Sequence, residues 1–166
     1  MTPSIPGAVF DCVVLLQAAA SSKGPASACR GFVDNGHVRI FLSPDVLAEV
    51  TDVLNRPKLQ IKFKALTPDL ADAVLRDLTD KAEFLSDVPQ VFAYARDPDD
   101  EPYINLAVAA EARYLVTWDN GLLDLMDVTT AVGLDFRQRF PDLRILTPVA
   151  LIRELSAPSN GPDKQD

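Results

Sequence analysis

The sequence predicts one α/β domain, a three-layer α/β/α arrangement around a central parallel sheet of four to five strands. Three observations carry that expectation. Short β-branched and aliphatic runs alternate with longer segments of helical periodicity, the pattern of βαβ units. The first run, AVFDCVVLL over residues 8–16, is apolar on both faces, as a central parallel strand must be. Ser43-Pro44, Thr67-Pro68 and Thr147-Pro148 each pair a capping hydroxyl with a proline suited to the first helical position.

Composition narrows the class further. A chain of 166 residues suits one domain, and 48% hydrophobic with 24% charged residues is an ordinary globular mix. No apolar run approaches about 18 residues, so no membrane span is expected. No basic segment precedes an apolar one at the N-terminus, so no secretory signal is expected either. The two cysteines, Cys12 and Cys29, fit a reduced cytoplasmic setting. A formal net charge of −8 disfavours an indiscriminate nucleic-acid coat and suits a cation site or a basic partner.

Residues 1–7, with Pro3, Pro6 and Gly7, read as a flexible N-terminus, 8–155 as the domain, and 156–166 as a disordered polar tail. After the first strand comes a small-residue loop over 18–26. A helix continues to residue 33, closed by Asn35-Gly36. A strand over 38–42 leads into the helix opened by Ser43-Pro44, whose stripe is Val46, Leu47, Val50, Val53 and Leu54. Residues 59–64 read as a short helical or irregular piece. The Thr67 helix extends to about residue 85, with Leu70, Val74, Leu78 and Phe84 facing inward. Residues 88–95 read as a weak strand or an extended approach, 100–112 as a helix, 114–117 as a strand and 120–126 as a short helix. Residues 129–141 read as loop with Arg137 and Arg139 exposed. A strand over 143–146 and a helix to 155 complete the domain.

Carboxylates stand where such a fold binds ligands. Asp11 interrupts the first apolar run, and a buried unpaired carboxylate there needs a cation, strong donors or a strand end in a cleft. Capping of the next turn is the competing explanation. Glu49 sits within an apolar helical stripe, at its buried face or on its solvated margin. Asp97, Asp99, Asp100 and Glu101 crowd the start of the 100–112 helix, where helix-dipole complementarity alone is worth about 0.3–1 kcal/mol each. Asp119 ends the 114–117 strand. Ligands of parallel sheets bind outside the carboxyl ends of the strands, so these acids point to one edge. Converging carboxylates repel unless a hard cation neutralises them, and oxygen donors without a His or Cys cluster suggest Mg²⁺ or Mn²⁺.

With Val9-Phe10-Asp11-Cys12, Ser43 to Glu49, Arg56-Pro57-Lys58-Leu59, Arg96-Asp97-Pro98-Asp99-Asp100 and Leu115-Val116-Thr117-Trp118-Asp119 in this order, the chain resembles the PIN-domain family. It looks most like the branch described as toxins of toxin–antitoxin systems, related to VapC-like ribonucleases, over roughly residues 8–155. The resemblance implies a PIN-like three-layer fold and metal-dependent cleavage of single-stranded RNA. It makes Asp11, Glu49, Asp100 and Asp119 the catalytic, metal-binding acids, with Thr117 and Asp99 in support. It also implies an antitoxin protein as partner, and a homodimer. Arg96, Arg113, Arg137 and Arg139 are the candidates for flanking RNA contacts.

Two positions depart from the family pattern. Val13 stands where a polar residue, usually Asn, is common, removing a hydrogen bond of a kind worth about 10–100-fold. Trp118 stands where a small residue is usual, and it either stacks on a base or packs at the cleft rim. These departures keep a second reading open, a catalytically degenerate domain serving as an RNA-binding or protein-interaction module. A haloacid-dehalogenase-like phosphatase would also place an Asp after strand one. That chemistry needs a second Asp where this chain has Val13.

Overall fold

Every strand pairing among the described residues is parallel, in the spatial order β3-β2-β1-β4-β5. The computed structural model describes residues 4–157 except 63 and 65. The chain begins with β1 (Gly7–Phe10), α1 (Cys12–Ala20), α2 (Pro25–Asp34) and β2 (Arg39–Leu42). It continues through α3 (Pro44–Leu54), α4 (Pro57–Lys62), α5 (Pro68–Lys81) and β3 (Glu83–Phe84). A 3-10 turn (Pro98–Asp100) leads into α6 (Glu101–Ala109), β4 (Tyr114–Val116) and α7 (Asn120–Leu123). A second 3-10 turn (Asp124–Met126), α8 (Ala131–Arg139), β5 (Arg144–Leu146) and α9 (Pro148–Ser156) complete the order.

The sheet grows outward from β1 to β2 and β3, then returns to add β4 and β5 on the other side of β1. The strand order therefore reverses between β1 and β4, which is where doubly wound folds bind ligands. Period-two alternation divides the strand side chains between two cores. Val9, Phe41, Leu115 and Ile145 face α3, α6 and α8, packing with Val46, Leu54, Ile104, Leu106 and Phe136. Ala8, Phe10, Ile40, Tyr114, Val116 and Leu146 face the other way, against Val14, Ala26, Cys29 and Leu151 of α1, α2 and α9. Fully burying a side chain such as Ile104 or Leu106 stabilises by about 1.5–3 kcal/mol, and Leu106→Ala would cost about 2–5 kcal/mol. Among the described residues no helix is long and apolar enough to cross a membrane.

The three hydroxyl–proline starts are helix caps, as their spacing predicts: Ser43, Thr67 and Thr147 accept from the amides of Val46, Leu70 and Ala150. Four expectations need correction. The apolar run over 8–16 is not one strand, because β1 stops at Phe10 and α1 occupies the rest. A run apolar all round does not distinguish a central strand from a helix, and Asp11 capping Val14 decides the matter. Residues 131–139, expected as loop, form α8, capped by Thr130 and anchored by the fully buried Phe136. Phe84 does not face inward on a long helix; α5 ends at Lys81, and Phe84 lies 52% exposed on β3. β1 begins at Gly7, inside the stretch expected to be flexible. Most of the expected disordered tail, from residue 158 on, lies outside the described residues.

Candidate metal centre

β1 and β4 lie side by side in register, Phe10 opposite Val116, so Asp11 and Thr117 emerge at the same edge of the sheet. The Asp11 amide donates to the Val116 carbonyl at 3.0 Å, continuing the ladder by one bond. The Asp11 side chain then turns into the start of α1. It is buried; its Oδ1 accepts from the Val14 amide at 3.0 Å and its Oδ2 from the Thr117 hydroxyl. Thr117 is fully buried, and its Oγ1 also accepts from the Asp119 amide at 2.9 Å. Asp119 in turn caps α7, Oδ2 accepting from Leu122 at 3.3 Å. One hydroxyl thus ties together the two acids that end the central strands.

The third component comes from the loop before α6. Asn105, buried on α6, accepts from the amides of Val91 and Phe92 at 2.9 Å and donates to the Phe92 carbonyl at 3.1 Å. Glu101 accepts from the Tyr94 amide at 2.8 Å, and the Tyr94 hydroxyl donates to the Gly121 carbonyl at 2.6 Å. These bonds fix residues 91–94 against α6 and α7, and the chain then turns through Asp97-Pro98-Asp99-Asp100. Asp97 stays extended before its proline, and its Oδ1 accepts from the Asp99 amide at 3.1 Å. The result is a set of carboxylate oxygens from Asp97, Asp100 and Asp119 within 4.8 Å of one another.

Crowding sets the electrostatics of this group. The Asp100 carboxyl is pushed up to about 8, first by burial, then by the carboxylates of Asp119, Asp97 and Asp11. Burial raises Asp11 as well, partly offset by its bonds from Thr117 and Val14. Without a counter-ion, such a cluster retains a proton that isolated aspartates would lose. Asp100 Oδ2 is buried with no hydrogen-bond partner, a polar atom left free on the inside of the cluster. Gly121 keeps the space beside Asp119 open, since a Cβ there would stand 3.0 Å from Asp119 Oδ2. Carboxylate oxygens alone, close together and incompletely bonded, fit a hard divalent cation.

The expected site residues fall into distinct places. Asp100 and Asp119 come together directly, and Asp11 joins them through Thr117 and by its charge. Glu49 is half-buried on α3, outside the three-carboxylate group. It acts on Tyr103 and Cys12: burial comes first, then the charges of Cys12 and Glu49 raise the Tyr103 phenol, while burial, Glu49 and Asp11 push Cys12 up to about 12. The buried Tyr103 hydroxyl has no hydrogen-bond partner. Asp99 is exposed and outside the three-carboxylate group; its amide serves Asp97. Glu101 is committed to the Tyr94 amide and Gln90.

Asp97 belongs to the cluster although sequence reasoning assigns it no ligand role. The available signal is spacing: an Asp before proline, three residues ahead of Asp100, shares the inside of one tight turn with it. Of the four candidate arginines, Arg96 alone lies beside the cluster, exposed and paired with Asp124 at 2.8 Å. Arg113 precedes β4 and so sits at the opposite edge of the sheet. Arg137 donates to Met126 Sδ, and Arg139 to the Val91 carbonyl while stacking over Phe92 and Phe140.

A family model described as PIN domain matches residues 7–121, which is most of the chain and includes Asp11, Glu49, Asp97, Asp100 and Asp119. No curated protein matches the sequence. The solved structure of VapBC2 from Rickettsia felis, bound to a DNA fragment from their promoter, is similar in fold with a TM-score of 0.52 and 15% identity. That likeness covers 85% of this chain and 98% of the other.

Proposed function

The chain belongs to the PIN-domain family, and from that premise we propose that it is a Mg²⁺- or Mn²⁺-dependent nuclease hydrolysing phosphodiester bonds of single-stranded RNA. The observation that carries the reading is the free, buried Oδ2 of Asp100 within a group of three close carboxylates at the β1/β4 edge. Asp97, Asp100 and Asp119 would hold the cation, with Asp11 beside them and Glu49 on the α3 side. When bound, the cation neutralises phosphate charge and makes a water a better nucleophile at neutral pH. Thr117 keeps Asp11 and Asp119 in fixed relation, so little reorganisation is needed when the substrate arrives. Arg96, tied to Asp124 at the rim, is the nearest cation for the strand's phosphates.

The test is cleavage of an end-labelled single-stranded RNA with Mg²⁺, with Mn²⁺ and with EDTA. Cleavage in metal and none in EDTA is expected; full activity in EDTA would sink the mechanism. The resemblance to toxin–antitoxin ribonucleases extends the proposal to a homodimer inhibited by an antitoxin protein, whose amphipathic helix would lie in an apolar groove. Light scattering of a strictly monomeric protein at high concentration would count against the dimer. A binding-only module is the second reading, favoured by Val13, an exposed apolar side chain two residues after Asp11. RNA bound but never cut under any divalent metal would select it.

A further inference from the structure

We infer that Trp118 is a base-stacking platform that grips the nucleotide flanking the phosphate that a divalent cation on Asp97, Asp100 and Asp119 would hold. The inference rests on the single-stranded RNA reading and adds to it the group that holds the strand. Trp118 lies between Thr117, which ties the central acids together, and Asp119, which is one of them. A phosphate at the cluster therefore brings an adjoining base to the indole.

The ring is prepared for that contact. Its Nε1 donates to Gln17 Oε1 at 2.6 Å, which fixes one edge against α1 and leaves the residue 37% exposed. Val13 lies one turn before Gln17 on the same face of α1 and is 51% exposed, so apolar surface continues beside the indole. An indole already tied down loses little further freedom when a base stacks on it. Charge argues the same way. The chain carries −8 overall, and Arg96, the arginine beside the cluster, is already paired with Asp124. An acidic chain gains little from non-specific phosphate attraction, so base stacking adds affinity that net charge does not supply.

Trp118 is the single tryptophan of the chain, so intrinsic fluorescence reports this residue alone. The experiment titrates the full-length protein in Ca²⁺ with hexa-adenylate RNA and with an abasic ribose-phosphate strand of equal length, following fluorescence and anisotropy together. Hexa-adenylate should quench the tryptophan with a shallow salt dependence, and the abasic strand should not. Trp118→Ala should weaken hexa-adenylate binding by about 5- to 150-fold, while Trp118→Phe, which keeps a ring, retains most of it. Hexa-adenylate that binds without altering the fluorescence, or binds Trp118→Ala as tightly as wild type, would overturn the inference. Absence of binding by either strand overturns it together with the RNA reading. A strand that binds and quenches but is not cut in Mg²⁺ leaves the platform standing and removes the nuclease. A strand cut equally well by wild type and Trp118→Ala, with unchanged KM, does the reverse.

Discussion

The Thr117 hydroxyl donates to Asp11 Oδ2, joining the residue after β4 to the residue after β1 across the centre of the sheet. The same oxygen accepts from the Asp119 amide, so one buried group sets the spacing of two acids that are 108 residues apart in sequence. Thr117→Val keeps the shape and removes both bonds. Leaving a buried carboxylate oxygen and an amide without that partner should cost about 1–3 kcal/mol. At about 2–4 °C per kcal/mol for a chain this size, that is a drop of roughly 2–12 °C. If the acids hold a metal as proposed, losing their support should also lower cleavage by about 10–100-fold. Thr117→Ser restores the hydroxyl and should recover most of both. A Thr117→Val protein with unchanged Tm and kcat/KM would show that the bond is incidental.

Neighbouring aspartates in one short segment should behave oppositely. Asp97 contributes an oxygen to the cluster, whereas Asp99 is exposed and outside it. Asp97→Asn should therefore weaken metal binding and cleavage by at least tenfold, alongside larger losses for Asp11→Asn and Asp119→Asn. Asp99→Asn should leave both within about twofold, since exposed substitutions generally cost within about 0.5 kcal/mol. Isothermal titration with Mn²⁺ reads the affinities without an RNA substrate. Equal losses for Asp97→Asn and Asp99→Asn would mean that the loop acts by net charge alone.

Val13→Asn should raise metal affinity or activity. Val13 occupies the first turn of α1, two residues after Asp11, and is exposed rather than packed. An asparagine there meets water, so the cost of burying an amide does not arise, and folding stability should be nearly unchanged. A polar side chain beside a carboxylate next to a metal site supports gains of about tenfold or more. A variant that folds normally, binds metal no better and cleaves no faster would refute the idea.

These contrasts show how far the residues alone reach. Strand–helix alternation and hydroxyl–proline caps are local signals, and they suffice for the parallel sheet, its layers and the edge at which Asp11 and Asp119 emerge. The 8–16 run misleads because α1 is apolar on nearly every side, even at the exposed Val13, which erases the periodicity separating helix from strand. α8 escapes detection because Val132 and Leu134 are exposed and Gly133 faces inward, leaving no apolar stripe. Asp97 stands in the acidic run without a legible ligand role, because its approach to Asp119 depends on Asn105, Glu101 and Tyr94 fixing the preceding loop. Those are side-chain-to-backbone bonds spanning up to 27 residues, and no spacing rule reports them.

The cluster itself is tested, whatever the substrate, by removing one of its charges. Asp100 holds its proton up to about pH 8 in the folded chain, against about 3.9 for an unfolded aspartate. The folded pKa is raised, so the stabilisation from that proton is complete below about pH 4 and is lost as pH rises through about 8. In EDTA at about pH 9, above that folded pKa, wild type carries the full repulsion of Asp97, Asp100, Asp119 and Asp11, and Asp100→Asn should melt higher. At about pH 4, where the carboxyl is protonated in the folded chain and close to half-protonated in the unfolded one, the two proteins should melt nearly together. Asp100 also lies at the start of α6, where its charge helps the helix by about 0.3–1 kcal/mol. Repulsion among four neighbouring carboxyls should exceed that. Saturating Mg²⁺ should narrow or reverse the order, because wild type alone keeps the whole site. A metal at about 100 times its Kd stabilises by roughly 2.7 kcal/mol, equivalent to a gain of roughly 5–11 °C for wild type. Thermal melts of both proteins at the acidic and the alkaline pH, with EDTA and with Mg²⁺, decide the matter. If Asp100→Asn melts lower in alkaline EDTA and gains as much from Mg²⁺ as wild type, these acids do not form one site.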